Sequence, residues 1–275
     1  MQGNEKFLGR VASYAHKHAL WREGERILAA VSGGPDSLAL LLALKLLAVK
    51  EKINIGCCCV NHHLRAAAGK EAEFVESVCR EWNIPFILKE VDVQSAVRNG
   101  GSIETAARDL RYKALREAAR GGGYAKIAVA HHGDDQAETV LYHLLRGSGV
   151  TGLSGMKPIN GDIIRPFLCV SKNEIKDFLK DFSYVPCHDE SNDVEDAVRN
   201  RIRLSLVPEL ISYNPRVTES LRRTADIFRE EDLFMEEKAD VFISSCVEHD
   251  NDKCVFFIAY FLVLHIALQR RVIRK

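Results

Sequence analysis

The sequence lacks the paired cysteine spacings of a zinc module, since its eight cysteines include no C-x-x-C pair. Three of them, Cys57, Cys58 and Cys59, stand side by side in a predicted strand, where free cysteine behaves as a small apolar side chain. A secretory signal sequence is absent from the first residues as well. Both absences predict free thiols in a reducing, cytoplasmic setting.

An excess of charge of one sign is also missing, because 38 Lys and Arg residues balance 38 Asp and Glu residues. Overall charge therefore does not indicate a nucleic-acid partner, and any basic surface has to be local. The longest apolar run, residues 254–268, has 15 residues, whereas a membrane-spanning helix needs about 20. We expect no membrane association and predict a buried helix over this run.

A glycine-rich turn, SGGPDS at 32–37, follows five apolar residues at 27–31 and precedes an apolar helical run from Leu38. The apolar stretch is typical of a strand buried on both faces of a parallel sheet. Two glycines let main-chain N–H groups approach a ligand closely, and the helix dipole favours an anion there. The turn therefore predicts a phosphate site, although a plain turn with Asp36 or Ser37 as helix cap explains the same residues. It lacks the Lys of a GxxxxGK[ST] loop, which excludes the usual cradle for the γ-phosphate.

Strands and helices are predicted to alternate along the first half of the chain. This order favours an α/β fold, an open parallel sheet with helices on both faces, followed by a small helical region. The predicted strands are 27–31, 53–60, 86–91 and 126–130, and the predicted helices lie within 1–24 and at 38–50, 70–82, 102–120 and 171–182.

Polar clusters follow three of these strands, at 32–37, at His62 and His63, and at 131–138. In an open α/β sheet, ligands bind beyond the carboxyl ends of the strands, so the three clusters are expected to share one edge. Within the last cluster, Asp135 and Glu138 are three residues apart at a helix start and share a direction. Such a pair could cap the helix, bind a metal or receive a cationic substrate. Zinc is disfavoured, because its sites rarely pair adjacent ligands of this kind.

Seven segments, in this order, resemble the tRNA(Ile)-lysidine synthetase family of the PP-loop ATP pyrophosphatase superfamily. The SGGPDS turn alone resembles only the superfamily loop SGGxDS, and the segment 131–156 discriminates the family. The resemblance implies an adenine nucleotide α-hydrolase-like fold. The segments are SGGPDS (32–37), NHHLR (61–65), SIETAARDLRY (102–112), HHGDDQAETVLYHLLRGSGVTGLSGM (131–156), IRPFL (164–168), DESND (189–193) and RNRIR (199–203).

The resemblance implies a two-step reaction on tRNA. Members of the family adenylate the C2 carbonyl oxygen of a wobble cytidine, and free lysine then displaces AMP to give lysidine. ATP and Mg²⁺ are the implied cofactors, and tRNA(Ile) with a CAU anticodon and free L-lysine are the implied partners. A homodimer is left open.

The resemblance also implies roles for individual residues. Asp36 is the expected Mg²⁺ contact within the nucleotide loop, and Asp135 and Glu138 suit the ammonium groups of lysine. Arg111 lies one helical turn beyond Arg108, so a solvated helix face is the competing explanation for it. The expected nucleotide-binding residues are Ser32, Gly33, Gly34, Pro35, Asp36 and Ser37, and the expected catalytic residues are Asp36, Arg111, His131, Asp135 and Glu138.

We assign residues 1–215 to the PP-loop catalytic domain and residues 216–275 to a helical region that contacts tRNA. Many family members continue beyond this point with domains that clamp the tRNA, so a truncated helical region is one interpretation. Two basic windows, 196–229 and 270–275, are candidates for tRNA contact, with solvated helix faces as the alternative.

Three rival functions are weighed against lysidine synthesis. A tRNA thiolase of the same superfamily also adenylates a base carbonyl, but such enzymes often carry C-x-x-C pairs. Ammonia-using amide synthetases lack segments like DDQAET (134–139) and GSGVTGL (147–153). An inactive nucleotide-binding adaptor would keep the loop and lose the chemistry.

Overall fold

A computed structural model describes residues 2–62, 68–93, 103–184, 197–250, 253–256 and 258–275. Six strands form one sheet. The strands of that sheet are β1 (Arg26–Ala30), β2 (Asn54–Asn61), β3 (Phe86–Glu90), β4 (Lys126–Ala128), β5 (Ile159–Asn160) and β6 (Ile163–Ile164).

The strand order in this sheet is β3-β2-β1-β4-β6-β5. All neighbours pair in parallel except β5, an antiparallel edge strand beside β6. Each parallel step needs a crossover, and the helices supply it. The helices are α1 (Gln2–Lys17), α2 (Pro35–Glu51), α3 (Ala68–Glu81), α4 (Ile103–Gly122), α5 (Gly133–Leu145), α6 (Val150–Leu153), α7 (Lys172–Leu179), α8 (Ala197–Arg201), α9 (Val207–Tyr213), α10 (Val217–Cys246), α11 (Ile258–Leu262) and α12 (Ile266–Arg274).

Strand β1 lies at the centre of two apolar clusters, one on each face of the sheet. Ile27 and Ala29 join the larger cluster with α1, α2 and α7, whereas Leu28 joins the cluster that contains Leu115 of α4. Successive side chains of a strand point to opposite faces, so an unbroken apolar stretch fits a strand covered on both sides. The predicted α/β fold with helices on both faces is confirmed.

Helix α2 begins three residues earlier than the apolar pattern predicts. Its first residue is Pro35, and Gly34 is the N-cap. Proline suits the first helical position because its fixed φ is already helical and its missing N–H has no intrahelical partner there. Asp36 and Ser37 therefore lie in the first turn and neither is the N-cap, so the alternative explanation of this turn by a side-chain cap is wrong.

The three consecutive cysteines lie in β2 and are buried, as predicted. Burial raises the pKa of the Cys58 and Cys59 thiols to about 12, which keeps them protonated and unreactive at neutral pH. Free thiols are found at six cysteines of the described residues, Cys57, Cys58, Cys59, Cys79, Cys169 and Cys246.

The predicted buried helix over residues 254–268 is wrong. That run is divided between strand β8 (Lys253–Phe256), which pairs with β7 (Val247–Asp250), and the helices α11 and α12. Tyr260 is 57% exposed and Val263 is 82% exposed. His265 interrupts the run because its ring nitrogen accepts a hydrogen bond from Ala267 N and caps α12. Across the described ranges, no helix is both long and apolar enough to cross a membrane.

Candidate active site

The glycine-rich loop leaves β1 and opens helix α2. Gly33 has φ +88°, a left-handed conformation that glycine adopts without a steric cost. The Ser37 hydroxyl accepts a hydrogen bond from Ser32 N at 3.1 Å and donates one to Gly34 O at 3.0 Å, which fixes the turn from inside. Because Gly34 has no side chain to cap α2, the first N–H groups of the helix are suited to an anion.

The second part of the site follows β4, the strand beside β1. The strand order reverses between these two neighbours, which is the place where open α/β sheets bind ligands. Helix α5 starts at Gly133, whose N–H donates to Val170 O at 2.7 Å. A Cβ at this glycine would lie 2.4 Å from Arg222 Nη1 and 2.9 Å from Val170 O, so only glycine allows this close approach.

His132 joins the two parts of the site. Its Nε2 lies 3.7 Å from Asp36 Oδ2 and 3.5 Å from Asp135 Oδ2, and its Nδ1 lies 3.6 Å from Asp134 Oδ2. The imidazole is buried. Burial alone would lower the pKa of His132, but the nearby carboxylates of Asp36, Asp135 and Asp134 raise it above its usual value. The raised pKa favours the protonated form of the imidazole that lies between the glycine-rich loop and the acids of α5.

Asp36 lies in the first turn of α2 and faces this imidazole. Burial alone would raise the pKa of Asp36, but His132, followed by Lys172 and Arg203, lowers it below its usual value. The carboxylate is therefore the stable form. Its Oδ1 is buried and accepts no hydrogen bond from the described residues, which leaves an acceptor for a ligand beside the loop.

The acidic pair of α5, Asp135 and Glu138, converges on one guanidinium. Arg203 Nε donates to Glu138 Oε1 at 2.8 Å, and Arg203 Nη2 donates to Glu138 Oε2 at 2.9 Å and to Asp135 Oδ1 at 3.2 Å. The second oxygen of Asp135 accepts a hydrogen bond from His132 N at 2.9 Å. Asp135 thus caps its helix and also contributes to an ion pair. Burial raises the pKa of Glu138, and the hydrogen bond from Arg203 opposes that shift.

His131 lies among cations on the other side of the α5 start. Burial lowers its pKa to about 4, and the charges of Arg165, Arg111 and Arg108 add to that effect against Asp135. At neutral pH the imidazole is therefore uncharged and suited to hydrogen bonding with a neutral base or nucleotide. Arg165 is buried and donates through Nη1 to Lys157 O at 2.8 Å. Its Nε is buried and has no hydrogen-bond partner among the described residues.

The structure brings three of the predicted site residues, Asp36, Asp135 and Glu138, around His132 and Arg203. His131 and Arg111 lie close enough to interact electrostatically. His62 follows β2 as expected, and His63, Ser102 and the DESND segment lie outside the described residues.

Sequence reasoning missed two residues, His132 and Arg203. His132 was visible as the second of two adjacent histidines, but only geometry shows which of them faces the loop. Arg203 belongs to the RNRIR segment and was counted among the basic residues of 196–229. Its pairing with α5 depends on a contact across more than 60 residues of chain, which no local pattern reveals.

The chain resembles known proteins over most of its length. A family model described as a PP-loop domain matches residues 5–210. The chain is 36% identical to a tRNA(Ile)-lysidine synthase of Caldanaerobacter subterraneus over 97% of its own length and 58% of that relative's length. It thus spans less than two thirds of that protein. A tRNA(Ile)-lysidine synthase of Petrotoga mobilis is 37% identical over 82% of this chain and 74% of the relative.

Among solved structures, a U34-tRNA thiolase from Methanococcus maripaludis with its 4Fe–4S cluster superposes with a TM-score of 0.65. The match covers 82% of this chain and 80% of the thiolase at 17% identity, which shows a shared fold and nothing finer. The family match and the two sequence relatives are more specific. The chain belongs to the tRNA(Ile)-lysidine synthase family of PP-loop enzymes.

Proposed function

We propose that the chain ligates lysine to C2 of the wobble cytidine of tRNA(Ile), through an adenylated tRNA intermediate. The observation that carries this proposal is the position of Asp36 and Asp135, within 3.7 Å and 3.5 Å of the same His132 nitrogen. A nucleotide at the loop and an amine at the acidic pair would therefore meet at adjoining subsites. Bringing two reactants together in this way is itself a large part of catalysis.

In the first step, the C2 carbonyl oxygen of the cytidine attacks the α-phosphate of ATP, and pyrophosphate leaves. The loop residues 32–37 bind the nucleotide through main-chain N–H groups at the start of α2. The bond formed is between C2 oxygen and phosphorus, and the bond broken joins the α- and β-phosphates. Adenylation converts a poor leaving oxygen into a good one.

In the second step, an amino group of lysine attacks C2, AMP leaves with the former carbonyl oxygen, and the amine loses a proton. Asp135 and Glu138 hold the cationic substrate by charge-assisted hydrogen bonds. His131, uncharged at neutral pH, and Arg111 beside it contact the nucleotide or the cytidine. The products are lysidine, AMP and pyrophosphate.

Mg²⁺ suits Asp36, although the described residues contain no group of three or more His, Cys, Asp or Glu side chains arranged as a metal centre. Proteins commonly hold Mg²⁺ through one or two carboxylates together with substrate phosphates. The buried Oδ1 of Asp36, which accepts no hydrogen bond from the described residues, provides such a ligand. Mg²⁺ held there would neutralise charge on the phosphates.

We further assign residues 1–215 to the catalytic unit and residues 216–275 to contact with the tRNA. In support, α10 packs along α5 and α6 and so reaches the site from outside the sheet. Several of the expected basic residues are engaged within the protein, since Arg271 pairs with Asp232 and Arg229 pairs with Asp226. Phosphate contact is therefore assigned to exposed arginines of the two windows that lie outside these pairs, Arg216, Arg223, Arg270 and Arg274.

A labelled-lysine assay tests the proposal. The protein, ATP, Mg²⁺ and unmodified tRNA(Ile) with a CAU anticodon are incubated with labelled lysine, and both pyrophosphate and tRNA-bound label are measured. We expect both to appear in equal amounts. Pyrophosphate release that requires sulfide instead of lysine would favour a thiolase, and ATP binding without either product would favour an adaptor.

Two variants assign the subsites within this assay. Asp36→Ala is expected to abolish pyrophosphate release, with a loss of at least about 100-fold, because charge stabilisation at the phosphates is lost. Glu138→Ala is expected to impair lysine attachment more than pyrophosphate release. Glu117→Ala, which removes an exposed carboxylate of α4, is the matched control. Equal loss of both steps in Glu138→Ala would remove the lysine assignment.

A further inference from the structure

The proposed lysine seat, formed by the carboxylates of Asp135 and Glu138, is already occupied by the side chain of Arg203. Each of the four carboxylate oxygens of Asp135 and Glu138 accepts a hydrogen bond, three of them from the Arg203 guanidinium and one from His132 N. The guanidinium of Arg203 binds the carboxylate of Glu138 through two parallel hydrogen bonds. This bidentate geometry is the strongest form of such a pair. An ammonium group of lysine that entered this site would find every carboxylate oxygen already accepting a hydrogen bond from the protein.

Electrostatic repulsion also opposes the binding of lysine while Arg203 is in place. Two carboxylates and one guanidinium leave one negative charge at the seat, and the His132 imidazole, 3.5 Å from Asp135 Oδ2 and with a raised pKa, reduces it further when protonated. If Arg203 stayed in place, the ammonium of lysine would lie within a few ångströms of the guanidinium, and two like charges at that distance repel. Because Glu138 is buried and Asp135 is 21% exposed at its side chain, water screens this repulsion incompletely.

The segment that carries Arg203 is weakly attached to the rest of the protein. It is one continuous helical stretch, α8, the π-helical turn Ile202–Leu206 and α9. Among residues 198–213, Ile202 is the one buried residue. Segments with few buried apolar contacts open at low free-energy cost. Arg203 attaches this stretch to α5, and so does Arg199, whose guanidinium lies 5.5 Å from the centre of the Tyr142 ring.

The π-helical turn is where this stretch departs from regular geometry, and Arg203 is its second residue. Such turns are rare and occur often at functional sites, because the extra residue changes the direction of the side chains around it. Here the turn brings the Arg203 side chain to the two acids of α5, while its neighbour Leu204 is 68% exposed.

We propose that Arg203 is an internal competitor of the substrate amine. In the free enzyme it fills the seat formed by Asp135 and Glu138, and lysine binds by displacing it together with the π-helical turn. Arg203 thereby sets the lysine concentration at which the second step begins. This proposal rests on the proposed function, in which those two acids seat lysine. If the competent state is a fraction of the population, the apparent affinity is reduced by that fraction.

Arg203→Ala tests the proposal through the separation of KM from kcat. We expect the KM for lysine to fall about tenfold, because the competitor is gone, and kcat is measured separately. Leu204→Ala is the matched control, since it truncates an exposed neighbour, and its KM should equal that of the wild type. An unchanged or higher KM in Arg203→Ala would overturn the proposal, because a residue that binds lysine or only supports the fold gives that result.

A second variant keeps the test informative if Arg203→Ala does not fold. Arg203→Lys retains a cation but loses the bidentate geometry. We therefore expect its KM for lysine to be about threefold below the wild-type value, between the values of the wild type and of Arg203→Ala. A KM for Arg203→Lys at or above the wild-type value contradicts displacement.

Hydrogen exchange of the wild-type protein gives a readout that needs no turnover. Saturating lysine should speed amide exchange in residues 198–213 several-fold, whereas the same concentration of NaCl should not. Slower or unchanged exchange with lysine would overturn the proposal. Failure of the proposed function is distinct, because a wild-type enzyme that attaches no lysine to tRNA refutes the reaction itself, whatever Arg203→Ala does to KM.

Discussion

In the sheet region, residues 2–184, the buried side chains are mostly apolar and lie in two clusters on the faces of the sheet. In the helical region, residues 217–275, the corresponding cluster comprises Ala239, Phe242 and Val272. Charged side chains are buried beside it, since Arg271 and Asp232 are 8% and 6% exposed. The first region is stabilised by the removal of apolar surface from water, and the second depends to a larger extent on ion pairs.

The ion pairs of the helical region join α10 to α12. Arg271 pairs with Asp232 and Glu236, and Lys275 pairs with Glu236 and Asp240. Thr151 of α6 donates to Asp232 Oδ1 at 2.7 Å, so the same carboxylate also links this region to the sheet region. The stabilisation from burying apolar surface does not depend on the direction of particular contacts, whereas a buried ion pair stabilises the protein only when both charged partners are in place. Loss of one charge should therefore have a local effect, and loss of a core side chain a global one.

The largest effect is expected from Leu41→Ala in the fully buried part of α2. A cavity in a closely packed core should lower the free energy of unfolding by about 2–5 kcal/mol, as measured by urea unfolding. Leu233→Ala is the control in the helical region, because Leu233 is 53% exposed, and it should change stability by less than about 0.5 kcal/mol. Similar values for the two variants would contradict the contrast between the regions.

A smaller and local effect is expected from Asp232→Ala. Removing one member of a buried pair leaves Arg271 with Glu236 as its carboxylate partner, and we expect a cost of about 2 kcal/mol. Hydrogen exchange should become faster in residues 266–274 and stay unchanged in β1. Glu237→Ala, which removes an exposed carboxylate of the same helix, should alter neither. Faster exchange in β1 as well would show that the two regions unfold together.

The effect of pH should fall on the sheet region through His131. Its pKa is lowered to about 4 on folding, so the unfolded chain binds a proton more readily between pH 6.5 and 4. The part of the free energy of unfolding that depends on this pKa difference is fully present above pH 6.5 and is lost as the pH falls towards 4. Because the side chain is half-buried, we expect a loss of about 1–2 kcal/mol, which His131→Asn should abolish.

NMR titration of the His131 ring checks the same prediction directly. An imidazole that takes up its proton near pH 4 supports the described surroundings of Arg165, Arg111 and Arg108. Proton uptake near pH 6.5 would show that the ring is solvated and that these cations lie elsewhere.

The smallest effect is expected from Lys275→Ala. Lys275 pairs with Glu236 and Asp240 at the end of α12, where solvent screens the charges. We expect no resolvable change in urea unfolding and no change in exchange of α12. A measurable loss of stability would mean that surface pairs, rather than the buried Arg271 and Asp232, hold α12 in place.

The sheet could be predicted from the sequence because its signals are local. Five apolar residues after a charged segment indicate β1, and the capping box of Ser171 and Glu174 marks the start of α7. The order of β1 and β4 in the sheet places the loop and the 131–138 segment side by side. The spacing of Asp135 and Glu138 at a predicted helix start distinguishes them in the sequence, whereas the role of Asp36 comes from the family resemblance.

The contacts that the sequence did not reveal are all made between distant segments. Arg203 reads as a surface cation, since nothing in RNRIR distinguishes the residue that turns inward from its neighbours. The run at 254–268 reads as a buried helix because apolar composition does not show whether a second layer covers it. His132 differs from His131 only in the partners that the fold supplies.

The most direct test of the account uses ATP labelled at the α-phosphate. Without lysine, the wild-type enzyme should transfer the label to tRNA(Ile) and release pyrophosphate, and added lysine should then release the label as AMP while lysine becomes attached. Glu138→Ala should form the labelled tRNA and retain it after lysine is added. Lysine attachment without any labelled tRNA intermediate, under conditions that trap it, would contradict the claim that Asp36 and the acidic pair serve two successive steps at adjoining subsites.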